Sequence, residues 1–451
     1  MHPGIAQVAL AAAVLLAPAF AAHANGECRY NVHVSPDLVL DVAVRCGPGV
    51  SGLEAVDESA RAAAQSVRAQ TLPGGYAAHY RVELAVMAAQ RDSIDSALRV
   101  GDSIVTVGAA WLLRPVREGG APGTLSVRVN VPEPIGFATA QPMVGGAFRV
   151  PEAELAHAGF SAFGRFAREA MTAPGDDGSV ARIEVIVLDG PLDIERATLL
   201  GWIRDMAHAS ATFWRGFPGD GMRIFVVPRA GRADVPFGRD MAGGGVSMVL
   251  YVGEHATRAA LYDDWVLIHE LVHVGSPFVQ HAPWFTEGLA TYLEPLIRAR
   301  QGLQTPEAMW IEFMTHMPRG AAVMAGSGLV RGGFRGFYWG GALLMLLADV
   351  ELRQASGGVR GLEDCLVTIR RTVGNYTRIL GVDAMIAACD AASGSDVLAR
   401  VVARYARAAN AVDLDALWAS LGLKLTDGRL TVDDAAPLAH VRRAIVSAKP
   451  G

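Results

Sequence analysis

Short stretches of alternating apolar and polar residues dominate the first part of the chain, and turns rich in Gly and Pro separate them. An alternating pattern places apolar side chains on one face of a strand. The pattern predicts a β-sandwich-like domain over residues 25–178, with a helical interruption near residues 57–70. The predicted strands cover residues 30–35, 38–46, 80–88, 103–116 and 124–132.

The pattern changes after residue 178, where apolar runs of strand length alternate with stretches of helical periodicity. Strands that alternate with helices predict an α/β domain, here residues 179–297. Residues 298–451 have mainly helical periodicity, so the predicted fold class is α+β with several domains. The predicted strands are 181–190, 222–229, 246–254 and the region 424–432, and the predicted helices include 193–214 and two between Trp265 and Pro295.

The first 24 residues form an apolar run that ends in small residues, with Ala22-His23-Ala24 before Asn25. This is typical of a signal peptide over residues 1–24, although no Lys or Arg precedes the run. An uncleaved N-terminal anchor helix is the alternative. No later stretch has the ~18 to 20 consecutive apolar residues that a membrane span needs. We expect a periplasmic or secreted protein with no stable membrane span after signal cleavage.

The chain of 451 residues carries a formal net charge of −5. No stripe of basic residues stands out, so we expect no nucleic-acid partner. Apolar residues make up 51% of the chain, which predicts a folded core rather than disorder.

The chain has four cysteines, of which Cys28 and Cys46 flank a predicted hairpin and Cys365 and Cys389 a predicted helical pair. Four cysteines allow three pairings, and the local pairing is the simplest. An exported protein permits disulfides. Four reduced, buried thiols are the alternative.

His269-Glu270-x-x-His273 lies within a predicted helix. Residues four apart stack on one helix face, so both imidazoles can chelate one ion. A catalytic zinc site uses three protein ligands and leaves one position for water. Glu287 is the candidate third ligand, because it opens the next predicted helix after a connection that lets the two helices pack together. We expect one Zn²⁺ per chain.

Glu270 follows His269 directly and is expected to face the metal site without being a ligand. A carboxylate there can take a proton from the attacking water and later give it to the leaving amine. The neighbouring helix residues are apolar, which predicts a dry wall that strengthens the metal's field on a substrate carbonyl.

The stretch HELVH…PWFTEGLATYLE resembles the motif of the gluzincin (clan MA) zinc metallopeptidases. It is similar to the peptidase MA-like and M61 glycyl aminopeptidase-like families and to the related M1 aminopeptidases. The resemblance implies a thermolysin-like catalytic domain with His269, His273 and Glu287 as zinc ligands and Glu270 as general base. The stretch FYWGGALLMLLADVELR resembles a downstream helix of these families, which implies that Tyr338 hydrogen-bonds the oxyanion.

The chain departs from these families where a substrate would bind. Gly340 stands where relatives carry Lys, and the spacing from His273 to Glu287 is shorter than in M1 or M61. Relatives place a glutamate that holds the substrate's amino group on a strand that resembles GGGVSMVLYVG, but this strand has no acid between Gly243 and Met248. We expect no carboxylate near Gly245 to meet the amino end of a peptide. This argues against aminopeptidase activity, because a buried ammonium without a partner is costly.

The same strand contains the residues predicted to bind substrate. Glycine permits close approach of another backbone, and an edge strand can add an extended peptide by main-chain hydrogen bonds. An ordinary flexible turn is the alternative. The predicted substrate-binding residues are Gly244, Gly245, Val246 and Ser247.

Glu294 and Asp264 are candidate partners behind the metal ligands. Glu294 lies seven residues after Glu287 on the same helix face and is a candidate to orient a ligand histidine, with a surface or capping role as the alternative. Asp263 and Asp264 precede the motif helix, so we expect one of them to cap that helix, with a hydrogen bond to one of the histidines as the alternative.

The sequence therefore predicts an exported zinc metallopeptidase that acts on a peptide or protein substrate. The alternative is a catalytically weak or inactive peptide-binding protein that keeps the peptidase fold. The intact Glu270 favours the enzyme, because a binding protein does not need a general base.

Overall fold

The computed structural model describes residues 27–119 and 121–447. The predicted signal peptide, residues 1–24, lies outside the described residues. Helices and strands are both abundant, so the chain is of mixed α and β class, as predicted. No described helix is both long and apolar enough to cross a bilayer.

The N-terminal part is built mainly from strands, with three short helices. The strands are β1 (Cys28–Val34), β2 (Val39–Cys46), β3 (Val50–Glu54), β4 (Arg68–Leu72), β5 (Gly75–Glu83), β6 (Ala97–Val100), β7 (Ser103–Val107), β8 (Arg114–Arg117), β9 (Thr124–Asn130), β10 (Gly136–Thr139), β11 (Met143–Val144), β12 (Ala147–Pro151) and β13 (Phe160–Gly164). The helices are α1 (Arg61–Gln65), α2 (Leu84–Arg91) and α3 (Gly108–Trp111).

These strands form a seven-stranded sheet, β11-β12-β9-β1-β2-β5-β4, a four-stranded sheet, β10-β13-β7-β6, and the pair β3-β8. The two larger sheets share one core, in which Val32 of β1 packs with Ile104 of β7 and Phe163 of β13. The alternating sequence pattern predicts this one-sided burial. Cys28 and Cys46 lie opposite each other in the β1–β2 pair and form a disulfide.

Two of the predicted strands are interrupted by helices. The strand predicted over residues 80–88 ends at Glu83, where α2 follows. The alternation stops there, and Leu, Ala, Met and Gln are strong helix formers. The strand predicted over residues 103–116 is broken by the buried turn α3. The predicted helical interruption near residues 57–70 is confirmed by α1 and the 3-10 turn before it.

A second part combines a five-stranded sheet with helices. Its strands are β14 (Phe166–Pro174), β15 (Val180–Leu188), β16 (Gly221–Arg229), β17 (Phe237–Met241) and β18 (Ser247–Gly253), and the short β19 (Phe278–Gln280) lies outside the sheet. Its helices are α4 (Arg196–Trp214), α5 (Arg258–Asp263), α6 (Val266–Gly275) and α7 (Pro283–Arg300). The sheet order is β14-β15-β16-β18-β17, with the three central strands parallel and both edge strands antiparallel.

The three central strands and α4 confirm the sequence prediction, but both edge strands were missed. β14 precedes the predicted boundary at residue 178 and pairs along its whole length with β15. Sheet pairing therefore crosses that boundary, and the division into residues 25–178 and 179–297 stays a prediction.

The five-stranded sheet is buried on both faces. On one face Phe225 and Val249 pack against Phe160 of β13. On the other face Ile224 joins a core that includes Leu267 of α6 and residues of α4 and α7. A largely parallel sheet requires this two-sided cover. The packing sets the position of α6 relative to the sheet.

The remaining chain is mainly helical, as predicted. It contains α8 (Pro306–Gly326), α9 (Phe334–Phe337), α10 (Trp339–Ala355), α11 (Leu362–Thr372), β20 (Ile379–Gly381), α12 (Val382–Ser393), α13 (Val397–Val401), α14 (Leu414–Leu421), β21 (Leu423–Thr426), β22 (Arg429–Val432) and α15 (Ala439–Val446). Cys365 and Cys389 form a disulfide between α11 and α12, and β20 pairs with β19. Helix α7 does not end at Pro295, because the next residues, Leu296 and Ile297, are buried in the core.

Candidate metal centre and substrate cleft

Helix α6 presents His269 and His273 on one face. The two residues are one helical turn apart, and their ring centroids are separated by 5.0 Å. The carboxylate of Asp264 accepts a hydrogen bond from the backbone N–H of Leu267 at 3.1 Å. Asp264 therefore caps the first turn of α6, which is one of its two predicted roles.

Helix α7 brings Glu287 to the two histidines. Its Oε2 atom lies 3.3 Å from Nε2 of His269 and 3.7 Å from Nε2 of His273. Phe285 and Leu289, two residues to either side, are buried in the core and hold this part of the helix in place. The three predicted metal ligands therefore converge on one point.

The separations of these atoms suit a zinc ion. Ligand atoms that lie about 2.0–2.1 Å from a tetrahedral zinc lie roughly 3.3 Å from one another. The ligand atoms of His269, His273 and Glu287 all lie within 4.8 Å of one another. Two imidazoles and one carboxylate leave a fourth position free, which is typical of a catalytic rather than a structural site. The residues present therefore fit zinc.

The charges around these ligands favour a cation. Burial lowers the pKa of His269. Burial acts in the same direction on His273, but hydrogen bonding to Glu287 and the charge of Asp240 outweigh it and raise the pKa of His273 to about 9. Burial opposes ionisation of Glu287, yet hydrogen bonds from the two histidines hold the pKa of Glu287 below its usual range. A divalent ion would balance the same carboxylates that here hold a proton on His273.

Glu270 lies beside Asp240 of β17 in the same cavity, and both side chains are buried. Burial and the negative charge of Asp240 raise the pKa of Glu270 well above its ordinary value. The Oδ2 atom of buried Asp240 has no hydrogen-bond partner among the described residues. Asp240 belongs to an edge strand that the sequence pattern did not predict, so its place in the site was missed.

Two tyrosines flank the histidines. The ring of Tyr338, between α9 and α10, lies 6.4 Å from the ring of His269. The ring of Tyr376, in the loop after α11, lies 6.5 Å from the ring of His273. Burial and then nearby carboxylates raise the pKa of both phenols, so both hydroxyls stay protonated at neutral pH. Tyr338 lies where the resemblance implied, whereas no motif pointed to Tyr376.

One cavity of about 720 Å³ joins these groups. The whole of β17 borders it, so an extended backbone edge runs along one side. The start of α6 at Trp265, the 3-10 turn Glu152–His157 and the loop around Tyr376 contribute the other walls. The cleft therefore combines the edge strand β17 with the three candidate metal ligands.

The glycine-rich segment predicted to bind substrate does not lie on this edge. β18, which begins at Ser247, is flanked by β16 and β17, so the expectation of an edge strand there is wrong. The Ser247 hydroxyl accepts a hydrogen bond from the backbone N–H of Phe160 at 3.0 Å, and Val246 is buried.

Gly244 and Gly245 have structural reasons to be glycine. A Cβ at Gly245 would lie 2.3 Å from the carbonyl oxygen of Ala140, and Gly244 has a φ of +76°. Neither these glycines nor the two residues after them line the cavity. The strand edge that does so is β17.

Glu154 supplies a carboxylate that the glycine-rich segment itself lacks. Its Oε2 atom accepts a hydrogen bond from the backbone N–H of Gly244 at 2.7 Å, and the residue lines the cavity. Asp95 also lines the cavity, where it forms an ion pair with Arg239. The cleft therefore contains carboxylates, although the glycine-rich segment has no acidic residue.

Glu294 does not reach the metal ligands. Its Oε1 atom accepts a hydrogen bond from Nη1 of Arg298 at 3.2 Å, one turn further along α7. Arg298 also donates to the backbone carbonyl of Asp263. Glu294 therefore does not orient a ligand histidine, which was one of its predicted roles. It forms an ion pair with Arg298, and this pair connects α7 to the chain just before α6.

Solved structures with a similar fold include an aminopeptidase N family protein and M1 zinc metallopeptidases. An aminopeptidase N family protein from Idiomarina loihiensis is 12% identical over 88% of this chain and 79% of its own, with a TM-score of 0.65. A two-domain M1 zinc metallopeptidase bound to L-tryptophan is 15% identical over 84% of this chain and 94% of its own, with a TM-score of 0.50. Scans against protein-family models and curated protein sequences return no match.

At these identities the likeness concerns the fold. The chain has the fold of the M1 aminopeptidase N family, which belongs to the gluzincin clan, as the resemblance of its motifs implied.

Proposed function

We propose that the protein is an exported zinc-dependent metallopeptidase that hydrolyses peptide bonds. The observation that carries the proposal is the approach of the His269 and His273 Nε2 atoms to one oxygen of Glu287, at 3.3 and 3.7 Å. The fold of the solved M1 peptidases supports the same class. His269, His273 and Glu287 would hold the zinc ion, which would supply Lewis-acid chemistry: activation of water and polarisation of the substrate carbonyl.

Glu270 is the general base in this proposal. Its side chain lines the cleft beside the metal ligands without joining the group that could hold the ion. It takes a proton from the attacking water, holds that proton at its carboxylate, and gives it to the leaving amine. The phenol of Tyr338 donates a hydrogen bond to the oxygen of the scissile carbonyl as that oxygen gains charge.

An extended peptide is the substrate that suits the cleft. β17 is an edge strand whose five residues all border the cavity, and a peptide can add to such a strand by main-chain hydrogen bonds. Asp240 and Glu154 line the same cavity and can receive a positive group of the substrate, either its amino terminus or a basic side chain. Substrates with free and with blocked amino termini, tested side by side, distinguish these two sources.

The proposed arrangement has a β-sandwich-like domain over residues 25–178, a thermolysin-like catalytic domain over 179–297 and a helical domain over 298–451. The proposed location, periplasmic or secreted, rests on the predicted signal peptide. Residues from all three stretches line the cleft, since Glu154, Glu270 and Tyr338 come from different ones.

The test compares zinc content and cleavage of a peptide library by the native chain, Glu270→Gln and Glu287→Gln. We expect one zinc per native chain, zinc retained in Glu270→Gln with kcat lowered about 10²- to 10⁴-fold, and zinc lost from Glu287→Gln. A native chain that holds zinc but cleaves nothing would favour the peptide-binding alternative. A native chain that binds no zinc would overturn the proposal.

A further inference from the structure

The hydroxyl of Tyr376 differs from those of the core tyrosines. Tyr30, Tyr80 and Tyr292 donate hydrogen bonds to a backbone carbonyl or a carboxylate at 2.7–3.2 Å. Within the described part of the chain no group accepts a hydrogen bond from Tyr376, although its ring lines the cleft beside His273. A phenol is a good donor, so this hydroxyl is free to bind a ligand.

The loop that carries Tyr376 is held firmly against α6. The backbone N–H of Tyr376 donates to the carbonyl of Val274 at 3.3 Å. The side chain of Asn375 donates to the carbonyl of Pro218 at 3.0 Å and accepts from the backbone N–H of Thr377 at 3.1 Å. These bonds place the residue before any substrate arrives, which is typical of a binding group rather than of a loose loop.

The ring of Tyr376 is also fixed. Phe278 of β19 packs edge-on against it with ring centroids 5.7 Å apart. The parallel pairing of β19 with β20 closes the loop just after Tyr376. The hydroxyl can therefore rotate, but the ring that carries it stays in place.

A peptide bound along β17 would need such a donor. A strand exposes carbonyl and N–H groups on both edges, and pairing with β17 satisfies one edge only. A carbonyl that loses its water on binding and gains no other partner costs binding free energy. The rings of Tyr338 and Tyr376 lie beside the rings of His269 and His273 respectively, so the two hydroxyls can serve two different carbonyls.

We propose that Tyr376 contacts the substrate, and that its hydroxyl donates a hydrogen bond to a main-chain carbonyl next to the scissile bond, on the His273 side of the metal site. The inference rests on the proposed peptidase function. In this arrangement Tyr338 serves the reacting carbonyl, and Tyr376 serves the neighbouring one and holds the peptide in register.

The test measures binding rather than turnover, in zinc-loaded protein that carries Glu270→Gln. The first probe is a tripeptide hydroxamate built on the best-cleaved library sequence, or on alanine if no sequence is cleaved. The second probe is acetohydroxamic acid, which has the same metal-binding group but no peptide. Tyr376→Phe keeps the ring and removes the hydroxyl. Tyr405→Phe is the matched control, because Tyr405 lies among the C-terminal helices outside the cleft.

We expect Tyr376→Phe to weaken the tripeptide hydroxamate about 3- to 10-fold, as for one lost hydrogen bond. In Tyr376→Phe, the affinity for acetohydroxamic acid, the zinc content and the melting temperature should stay the same. Tyr405→Phe should change none of the measured quantities. In active protein, Tyr376→Phe should raise KM and Tyr338→Phe should lower kcat.

Unchanged affinity for the tripeptide hydroxamate would overturn the proposal. Equal weakening of both probes would also overturn it, because the hydroxyl would then act at the metal-binding group. Loss of zinc from Tyr376→Phe would show a structural role instead. Native protein that cleaves no peptide would count against the peptidase function, while the binding measurement would still decide the role of Tyr376.

Discussion

Glu270 of α6 and Asp240 of β17 are two buried carboxyl groups of the same cleft, close enough that the charge of Asp240 acts on Glu270, the proposed general base. Burial and then the charge of Asp240 raise the pKa of Glu270. A general base acts in its ionised form. In the proposed mechanism, Asp240 therefore moves the onset of hydrolysis to higher pH.

Asp240→Asn is expected to shift the acid limb of the kcat/KM profile to lower pH, because Glu270 then ionises more easily. The measurement is kcat/KM from pH 4 to 9 on one peptide. Asp95→Asn is the control, since Asp95 lines the same cleft but pairs with Arg239. An acid limb that stays in place in Asp240→Asn, or that moves equally in both variants, would contradict this account.

Gly288 and Gly341 let α7 and α10 approach closely. A Cβ at Gly288 would lie 2.3 Å from the Cα of Gly341. Gly288→Ala should push apart the helices that carry Glu287 and Tyr338, and we expect kcat to fall at least about 10-fold, since small displacements of reacting groups are costly. Gly201→Ala on α4 meets no neighbouring atom within 4 Å and should leave kcat unchanged. Equal kcat in Gly288→Ala and native protein would show that the contact does not position the site.

The carboxylate of Asp349 forms an ion pair with a buried arginine. Arg353 is fully buried and pairs with Asp349 at 3.1 Å and Glu363 at 2.9 Å, and the hydroxyl of Tyr292 donates to Asp349 at 2.7 Å. Asp349→Asn leaves Arg353 with less negative charge, so we expect the free energy of unfolding to fall by about 3–5 kcal/mol. Tyr292→Phe removes one hydrogen bond and should cost about 1 kcal/mol. Urea unfolding measures both, and similar losses in the two variants would contradict the assigned role of the charge.

Glu294 makes stability depend on pH. Burial raises the pKa of Glu294 to about 8, although Arg298 opposes this, whereas an unfolded glutamate has a pKa of about 4.3. Between these values the folded state holds a proton that the unfolded state lacks, so the free energy of unfolding falls as pH rises. Burial raises the pKa of Asp264 to about 6. Asp264 therefore contributes to the same decline in unfolding free energy, at the acid end of this pH range.

Glu294→Gln should therefore flatten the decline in unfolding free energy between pH 5 and pH 8. Denaturant unfolding at intervals of half a pH unit measures this slope. Glu307→Gln changes an exposed glutamate on α8 and serves as the control. A slope in Glu294→Gln as steep as in native protein would show that another group causes it.

The convergence of the three candidate metal ligands was predictable because its geometry is local. Helical periodicity alone brings His269 and His273 to one face, and a short connection returns the chain to Glu287. The same reasoning failed for Glu294, because seven residues advance a helix by about 10.5 Å, too far to reach the ligands. Arg298, one turn away, is the partner within reach.

Asp240, Glu154 and Tyr376 could not be found in this way. Each comes from a distant part of the chain and reaches the cleft through sheet order or loop packing, which period and spacing do not encode. β17 gave little signal because its five residues include Gly238, Arg239 and Asp240, and so lack an apolar alternation. The glycine-rich run was instead predicted to bind substrate, but its glycines are required by tight internal contacts.

The loop from Asn375 to Gly381 has a consequence for anyone who divides this chain. A fragment that stopped after α7 would keep both histidines, Glu270 and Glu287, and would pass any search for the motif. It would lack Tyr338, Tyr376 and the strand that pairs with β19, so one wall of the cleft would be solvent. Fragments, fusions and chimaeras should therefore be cut beyond α12, since the segment from Tyr338 to Gly381 supplies part of the cleft.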